Sequence, residues 1–134
     1  MAAQRIYDLH GRVCLITGAN SGIGRETARG LAQSGASVLM VARDPVRGAE
    51  VAAEIQSTGA PGSVELLIAD LACQGDVRAL AGQVCRGHDR LDVVIHNAGA
   101  VNTTRRVTAE GIEATLAVNH LAPFLLTDLL VVRL

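Results

Sequence analysis

The stretch "VCLITGANSGIG", residues 13–24, decides the fold. Its first five residues are apolar or β-branched, as is typical of a buried strand, and the glycine-rich run after them leads into an amphipathic segment with helical spacing. Glycines at such a junction permit positive φ angles and let a bulky anion approach the outward-pointing backbone amides. The stretch therefore predicts a strand–turn–helix unit with an anion-binding turn.

Working outward, the same alternation of apolar runs and helical patterns repeats along the chain. Predicted strands cover residues 13–17, 37–42, 64–69 and 91–96, and predicted helices cover 23–35, 45–59, 74–87 and a segment from about residue 110. Strands that are apolar on both faces and separated by helices indicate a parallel sheet with right-handed crossovers. We predict an α/β fold, a Rossmann-type doubly wound parallel sheet with helices on both faces, as one domain over residues 1–134.

Composition narrows the function classes. The formal net charge of −1 is made of interspersed charges and argues against a nucleic-acid partner, and the three cysteines lack the spacing of metal ligands, so no metal is expected. Charged residues stand near the start where a signal peptide would be apolar, and no run reads as long enough to span a bilayer. We expect a soluble, cytoplasmic protein with no membrane partner.

The loop "TGANSGIG", residues 17–24, has the residue types that dinucleotide binding requires. Gly18 and Gly22 are expected to form the turn and contact a pyrophosphate, and Gly24 to let the helix lie close to the sheet. The spacing differs from the common G-x-G-x-x-G, and a simple tight turn is the alternative. The position after the first strand favours a cofactor site, whose predicted loop residues are Thr17, Gly18, Asn20, Ser21, Gly22, Ile23 and Gly24.

The end of the second strand bears on the choice of cofactor. An acid there selects the ribose hydroxyl of NAD, whereas an arginine accepts the 2′-phosphate of NADP. The sequence offers "ARD", in which Arg43 comes first and Asp44, followed by Pro45, is also a natural N-cap for the second helix. We favour the capping role for Asp44 and NADP as the cofactor, with NAD possible.

Five motifs together resemble the short-chain dehydrogenase/reductase family, and its retinol-dehydrogenase-like branch in particular. They are "TGANSGIG" (17–24), "ARD" (42–44), "ADL" (69–71), "HNAG" (96–99) and "AVNHLAPFLLT" (117–127), in family order and through nearly the whole chain. Another nucleotide-cofactor fold, such as a methyltransferase, is disfavoured by the first and fourth of these motifs.

The resemblance implies further cofactor contacts. Asp70 is similar to the family residue that hydrogen-bonds the adenine amino group, with Leu71 beside the ring, although a helix cap would also explain Asp70. The segment Asn97, Ala98 and Gly99 resembles the family's Asn-Ala-Gly run, which steadies the sheet and lies along the cofactor.

Two residues of the later motifs concern catalysis. Asn119 is similar to the family's helix asparagine, which holds a water in the proton relay, and a satisfied structural amide is the alternative. His96 stands where the family usually has asparagine, and we do not interpret it as catalytic.

The resemblance also implies a catalytic Ser and a Tyr-x-x-x-Lys pair, whose ammonium lowers the phenol pKa so that it can serve as acid or base. The chain contains no lysine, and its single tyrosine, Tyr7, precedes the first strand. We expect the cofactor-binding part of an oxidoreductase acting on a small alcohol or carbonyl substrate, cut after the fourth strand and its helix and inactive alone. The alternative is a non-catalytic nucleotide-binding or interaction module that associates with a complete relative.

The last helix and the fourth strand predict self-association. One apolar stripe is expected along the helix, formed by Leu121, Phe124, Leu125, Leu129 and Val132. In the family's strand order, the fourth strand would present an unpaired edge here, and such edges invite pairing between chains. We therefore expect a homo-oligomer.

Overall fold

The computed structural model describes residues 7–134. Strands β1 (Val13–Thr17), β2 (Ser37–Ala42), β3 (Ser63–Ile68) and β4 (Val93–Ile95) alternate with helices α1 (Gly22–Gln33), α2 (Pro45–Ser57) and α3 (Gln74–Gly87). After β4 come a long loop, the short helix α4 (Ala114–Leu116), a π-helical turn (Ala117–Leu121), helix α5 (Ala122–Leu130) and a 3-10 turn (Val131–Arg133).

The sheet is parallel, with strand order β3-β2-β1-β4. The chain runs outward from β1 through β2 to β3 and then returns to the other side of β1, so that the strand order reverses between β1 and β4. In doubly wound sheets, ligands bind beyond the carboxyl ends of the strands at this point of reversal. The predicted fold class is confirmed, and it locates the place to look for a site.

Two hydrophobic layers cover the sheet because successive strand residues point to opposite faces. Cys14 and Ile16 of β1 belong to the layer formed with α1 and α2, whereas Leu15 belongs to the layer formed with α3 and α5. All three side chains are fully buried. β1 is therefore a central strand with helices on both faces.

Strand β3 departs from the expected pattern of burial on both faces. Its Glu65 and Ile68 are exposed, because β3 is an edge strand that pairs with β2 alone among the described strands. The Glu65 carboxylate accepts a hydrogen bond from the ring of His88, at the end of α3, over 3.0 Å. An edge strand alternates where a central parallel strand is apolar throughout.

The last helical segment begins at Ala114 rather than near residue 110. Before it, Val107 and Glu113 form an isolated antiparallel bridge that closes a tight loop. The Glu113 carboxylate accepts from the amides of Thr115 and Leu116 at 3.0 and 2.8 Å and so caps α4. The bridge fixes where helical geometry can begin.

The predicted apolar stripe on this segment is right only in part. Leu125 and Leu129 of the stripe are half-buried and pack against the layer shared with α3, whereas Phe124 and Val132 are 69% and 76% exposed. The buried residues of the helix are Ala122, Leu126 and Leu130, which the stripe did not include.

The expectation that no run has the length to span a bilayer is also wrong. The segment Ala114–Arg133 has 20 residues and a mean hydropathy of 1.6, which by length and composition would suffice to cross a membrane. In the folded chain, 22% of the most apolar 18-residue window of this segment is buried, and Leu126 and Leu130 lie on the buried face.

Candidate functional site

A cleft of about 620 Å³ lies beyond the carboxyl ends of the strands, at the point where the strand order reverses. The loop between β1 and α1 forms one wall, and the residues that follow β2, β3 and β4 form the rest, including Arg43, Asp70 and Asn97. Its volume is that of a pocket for a cofactor-sized molecule.

The N-terminus of α1 opens onto this cleft without a cap. Ser21, the N-cap residue, has extended backbone with φ −163° and ψ 164°, and its side chain makes no capping hydrogen bond. The amides of Gly22, Ile23 and Gly24 therefore have no acceptor among residues 7–134. Helix α2 differs, because the Asp44 side chain accepts from the amides of Val46 and Arg47. Uncapped first-turn amides together with the helix dipole form an anion site.

Two glycines of the loop have backbone conformations that other residues rarely adopt. Gly18 has φ +65° and Gly22 φ +52°. A Cβ at Gly18 would lie 2.8 Å from the Cα of Ala98, whereas a Cβ at Gly22 would meet no atom within 4 Å. Gly18 therefore lets the loop lie against the end of β4, and Gly22 leaves open space in front of the amides. The roles predicted for these two glycines in the turn agree with this geometry.

Gly24 permits the closest approach in the loop. A Cβ there would lie 2.2 Å from the Gly18 carbonyl oxygen and 2.4 Å from Nδ2 of Asn97. The helix thus lies close to the loop and to the segment after β4, rather than to the strands themselves as predicted.

Asn97 and Thr17 hold the loop in place. Nδ2 of Asn97 donates to the carbonyl oxygens of Thr17 and Gly18 at 3.1 and 3.0 Å. The Thr17 hydroxyl accepts from the Ala98 amide at 3.1 Å, and Thr17 is buried behind the cleft. These bonds tie the first and fourth strands together where they end, so that the amides of α1 have a fixed direction.

The segment after β2 presents arginines to the cleft. Arg43 and Arg47 both line it and are exposed. Oδ1 of Asp44 accepts from the amides of Val46 and Arg47 at 2.9 and 3.1 Å, which confirms the capping role predicted for Asp44. The carboxylate is thus directed at the helix, and the cationic side chains border the open space.

Asp70 lines the cleft at the end of β3 beside Leu71. Its Oδ1 accepts from the Ala72 amide at 2.9 Å, and its own amide donates to Asp76 at 2.9 Å. Cys73, not Asp70, is the N-cap of α3. Asp70 therefore stabilises the turn before the helix and also lines the cleft.

Asn119 lies in the π-helical turn and does not line the cleft. Its Oδ1 accepts from the Ala100 amide at 2.7 Å, and its Nδ2 donates to the Ala100 carbonyl at 2.8 Å. The side chain is thereby satisfied, as in the structural alternative.

His96 links the end of β4 to α5. Its Nε2 lies 2.8 Å from the hydroxyl of Thr127. Burial lowers the pKa of the His96 imidazole below the usual 6.5, so the neutral ring is favoured. The residue has a structural contact and lies outside the lining of the cleft.

The structure brings all the predicted cofactor residues except Thr17 to the cleft lining. Seven further residues line it that were not predicted to bind cofactor: Val41, Ala42, Asp44, Arg47, Ala69, Ala100 and Val118. Arg47 had a usable signal, since it stands four residues after Arg43. Ala100 and Val118 have no such signal, because the tertiary fold alone brings them to the cleft. In the part of the chain from residue 7 onward, no group of three or more metal-ligating side chains occurs.

The sequence is similar to those of known proteins. The sequence model of the family described as short chain dehydrogenase matches residues 12–134. Retinol dehydrogenase 12 of Bos taurus is 44% identical over 126 residues, covering 94% of this chain and 40% of that protein.

Two solved structures with NADP have a similar fold. A metagenomic short-chain oxidoreductase in complex with NADP aligns with a TM-score of 0.79 at 34% identity, covering 92% of this chain and 57% of that one. The RhlG/NADP active-site complex of Pseudomonas aeruginosa aligns with a TM-score of 0.82 at 29% identity, covering 98% and 51%. The chain thus spans between two fifths and three fifths of these relatives.

Proposed function

We propose a function from the family to which the chain belongs, the short-chain dehydrogenases. Its cleft binds NADP(H) for hydride transfer to or from a small alcohol or carbonyl substrate. The observation that carries the proposal is the uncapped N-terminus of α1, where the amides of Gly22, Ile23 and Gly24 lack acceptors among the described residues. A pyrophosphate is the anion such a terminus takes in this kind of fold.

The residues of the cleft fit the cofactor. The open space in front of Gly22 leaves room for the phosphates. Arg43 follows β2, where an arginine would bind the 2′-phosphate. We propose that Asp70 and Leu71, which line the cleft, contact the adenine, and that Asn97, Ala98 and Gly99 lie along the remainder of the cofactor. When bound, the nicotinamide supplies or accepts the hydride.

The chain's own residues bind and orient rather than transfer protons. The 134 residues include no lysine, and the single tyrosine, Tyr7, is 67% exposed ahead of β1. General acid–base catalysis contributes about 10² to 10⁴ in rate. We therefore propose that this chain binds cofactor without turning over substrate.

Calorimetric titration with NADP⁺ and NAD⁺ tests the cofactor proposal. Arg43→Ala should weaken NADP⁺ binding by several fold to about a hundredfold, since a charged hydrogen bond contributes about 1.5 to 3 kcal/mol, and leave NAD⁺ little changed. Gly22→Val should abolish binding of both, because valine is strained at φ +52° and its side chain would occupy the space before the amides. Equal affinity of the unmodified chain for both cofactors would refute the preference.

A spectrophotometric assay with NADP⁺ and short alcohols tests the absence of turnover. Hydride transfer at an ordinary enzymatic rate by the 134-residue chain, after contaminating enzymes are excluded, would show that these residues suffice for catalysis. Cofactor binding without turnover is the expected result and also fits a non-catalytic binding module. A change in the rate of a complete relative when this chain is added, compared with the relative alone, would favour that alternative.

A further inference from the structure

We infer that Glu110 is a positioning residue that fixes two walls of the cleft relative to each other, an inference that rests on the proposed cofactor binding. Oε1 of Glu110 accepts from the amide of Gln74, the first residue of α3, over 2.6 Å. The side chain of the N-cap residue Cys73 makes no capping bond, so Glu110 supplies an acceptor from outside the helix. The bond joins two segments that are 36 residues apart.

Glu110 has a fixed position on a compact loop, residues 106–114. The isolated antiparallel bridge closes the base of this loop. At its tip, the Gly111 amide donates to the Thr108 carbonyl at 2.9 Å, and Gly111 has φ +79°. Glu110 is therefore the third residue of a tight turn, and its backbone cannot move without opening that turn.

The 106–114 loop has few other contacts to hold it. All its residues are exposed or half-buried, and none belongs to either hydrophobic layer. Within the described residues, the bond from Gln74 is the only hydrogen bond between this loop and a segment other than itself and the helical segment that follows it. The Glu110 carboxylate is therefore what attaches the loop to α3.

This attachment joins two walls of the cleft. Ala100 precedes the loop and Val118 follows it in the π-helical turn, and together they form the loop wall. Asp70 and Leu71 directly precede α3 and form the β3 wall. A dinucleotide extends across such a site, so its affinity depends on how the two walls are placed relative to each other.

Loss of the Glu110 carboxylate should release the loop and leave α3 in place. Val77 and Leu80 are buried in the core and anchor α3. The Cys73 amide donates to the Asp70 carbonyl at 3.0 Å, which holds the turn before the helix. The β3 wall should therefore keep its structure, whereas the loop wall should lose part of its support.

Titration with NADP⁺ and with 2′,5′-ADP, which lacks the nicotinamide half, separates the two walls. Glu110→Ala should weaken NADP⁺ binding by about two- to thirtyfold and leave 2′,5′-ADP binding unchanged. Glu110→Gln keeps an oxygen acceptor at the same reach and should restore most of the NADP⁺ affinity. Glu50→Ala is the matched control, because Glu50 is an exposed carboxylate on α2 outside the cleft lining, and it should change neither affinity.

The backbone amide of Gln74 supplies a second measurement by NMR. Its resonance should shift in Glu110→Ala and return towards its original position in Glu110→Gln. An unmoved Gln74 amide, unchanged NADP⁺ affinity in Glu110→Ala, or no recovery of that affinity in Glu110→Gln would overturn the inference and leave the proposed function intact. Equal weakening of both ligands would assign Glu110 to the fold as a whole and would also overturn it. An unmodified chain that binds neither ligand would contradict the proposed function and the inference together.

Discussion

Replacing Gly24 with alanine should loosen the anion-binding loop, and the size of the effect can be worked from the structure. The new Cβ would stand 2.2 Å from the Gly18 carbonyl oxygen and 2.4 Å from Nδ2 of Asn97, well inside contact distance. Overpacking of this kind costs about 1 to 3 kcal/mol. Displacing the Asn97 amide also weakens its two hydrogen bonds to the loop, at about 0.5 to 1.5 kcal/mol each.

Helix propensity acts in the opposite direction. Alanine is favoured over glycine by about 1 kcal/mol inside a helix, so the expected net loss for Gly24→Ala is about 1 to 5 kcal/mol. Gly30→Ala is the matched control in the same helix, because a Cβ there meets no atom within 4 Å and its φ is not positive. This control should gain up to about 1 kcal/mol, so the difference between the two variants isolates the contact at Gly24.

Urea unfolding followed by circular dichroism measures both free energies, and titration with NADP⁺ measures the functional effect. Gly24→Ala should lower the free energy of unfolding and weaken cofactor binding, whereas Gly30→Ala should leave binding unchanged. If Gly24→Ala unfolds at the same urea concentration as Gly30→Ala, the close packing of the loop against Asn97 is not what holds it.

Three further outcomes are expected. Hydrogen bonds from the Val13 amide and Arg12 hold the pKa of Asp92 at about 2, below the usual 3.8. The Asp92 carboxylate therefore stabilises the fold fully above pH 3.8, and this contribution should be lost as the pH falls towards 2. In acid titration, the melting temperature of Asp92→Asn should show a smaller drop than that of the unmodified chain. Burial lowers the pKa of His96 below 6.5, so protonation of the ring opposes folding. The free energy of unfolding should therefore decline as the pH falls through the pKa of His96 in the folded chain. A His96→Asn variant whose stability depends on pH in the same way as that of the unmodified chain would contradict this. Leu126→Ala should lower the free energy of unfolding by about 2 to 5 kcal/mol, because Leu126 is buried. Phe124 is 69% exposed, so Phe124→Glu should leave stability unchanged. The same substitution should reduce the dimers that we expect in light scattering at micromolar concentration.

The order of strands and helices could be predicted because each element has a local signature. Apolar β-branched runs marked the strands, and Pro45 and Gly35 marked a helix start and a helix end. The short length of β4 and the late start of α4 had no such signature. They depend on tertiary contacts such as the bridge between Val107 and Glu113.

The buried face of the last helix could be predicted only in part, because apolar residues lie on nearly every side of it. Leu125 and Leu129 of the predicted stripe pack against the core, but the buried residues are Ala122, Leu126 and Leu130, which follow one another at spacings of four. A period of 3.6 residues does not discriminate between these two neighbouring sets of apolar positions.

The candidate site was predictable where a residue type itself indicates the role, as glycine does at a positive φ angle and arginine does beside a phosphate. The glycines and Arg43 were identified from type and spacing, and the structure brings them to one cleft. The uncapped state of α1 was not predictable, because Ser21 is a residue that ordinarily caps. The internal bonds of Asn97 and Asn119 were likewise hidden, since they join segments far apart in sequence.

An NMR titration of the isotopically labelled chain with NADP⁺, observing each backbone amide, tests directly whether the N-terminus of α1 binds the cofactor. We expect saturable shifts that are largest for Gly22, Ile23 and Gly24, whose amides lack acceptors among residues 7–134. Smaller shifts are expected at Arg43 and Arg47. Saturation with these three amides unmoved, or no saturable shift at any residue, would contradict the claim that the N-terminus of α1 binds the cofactor.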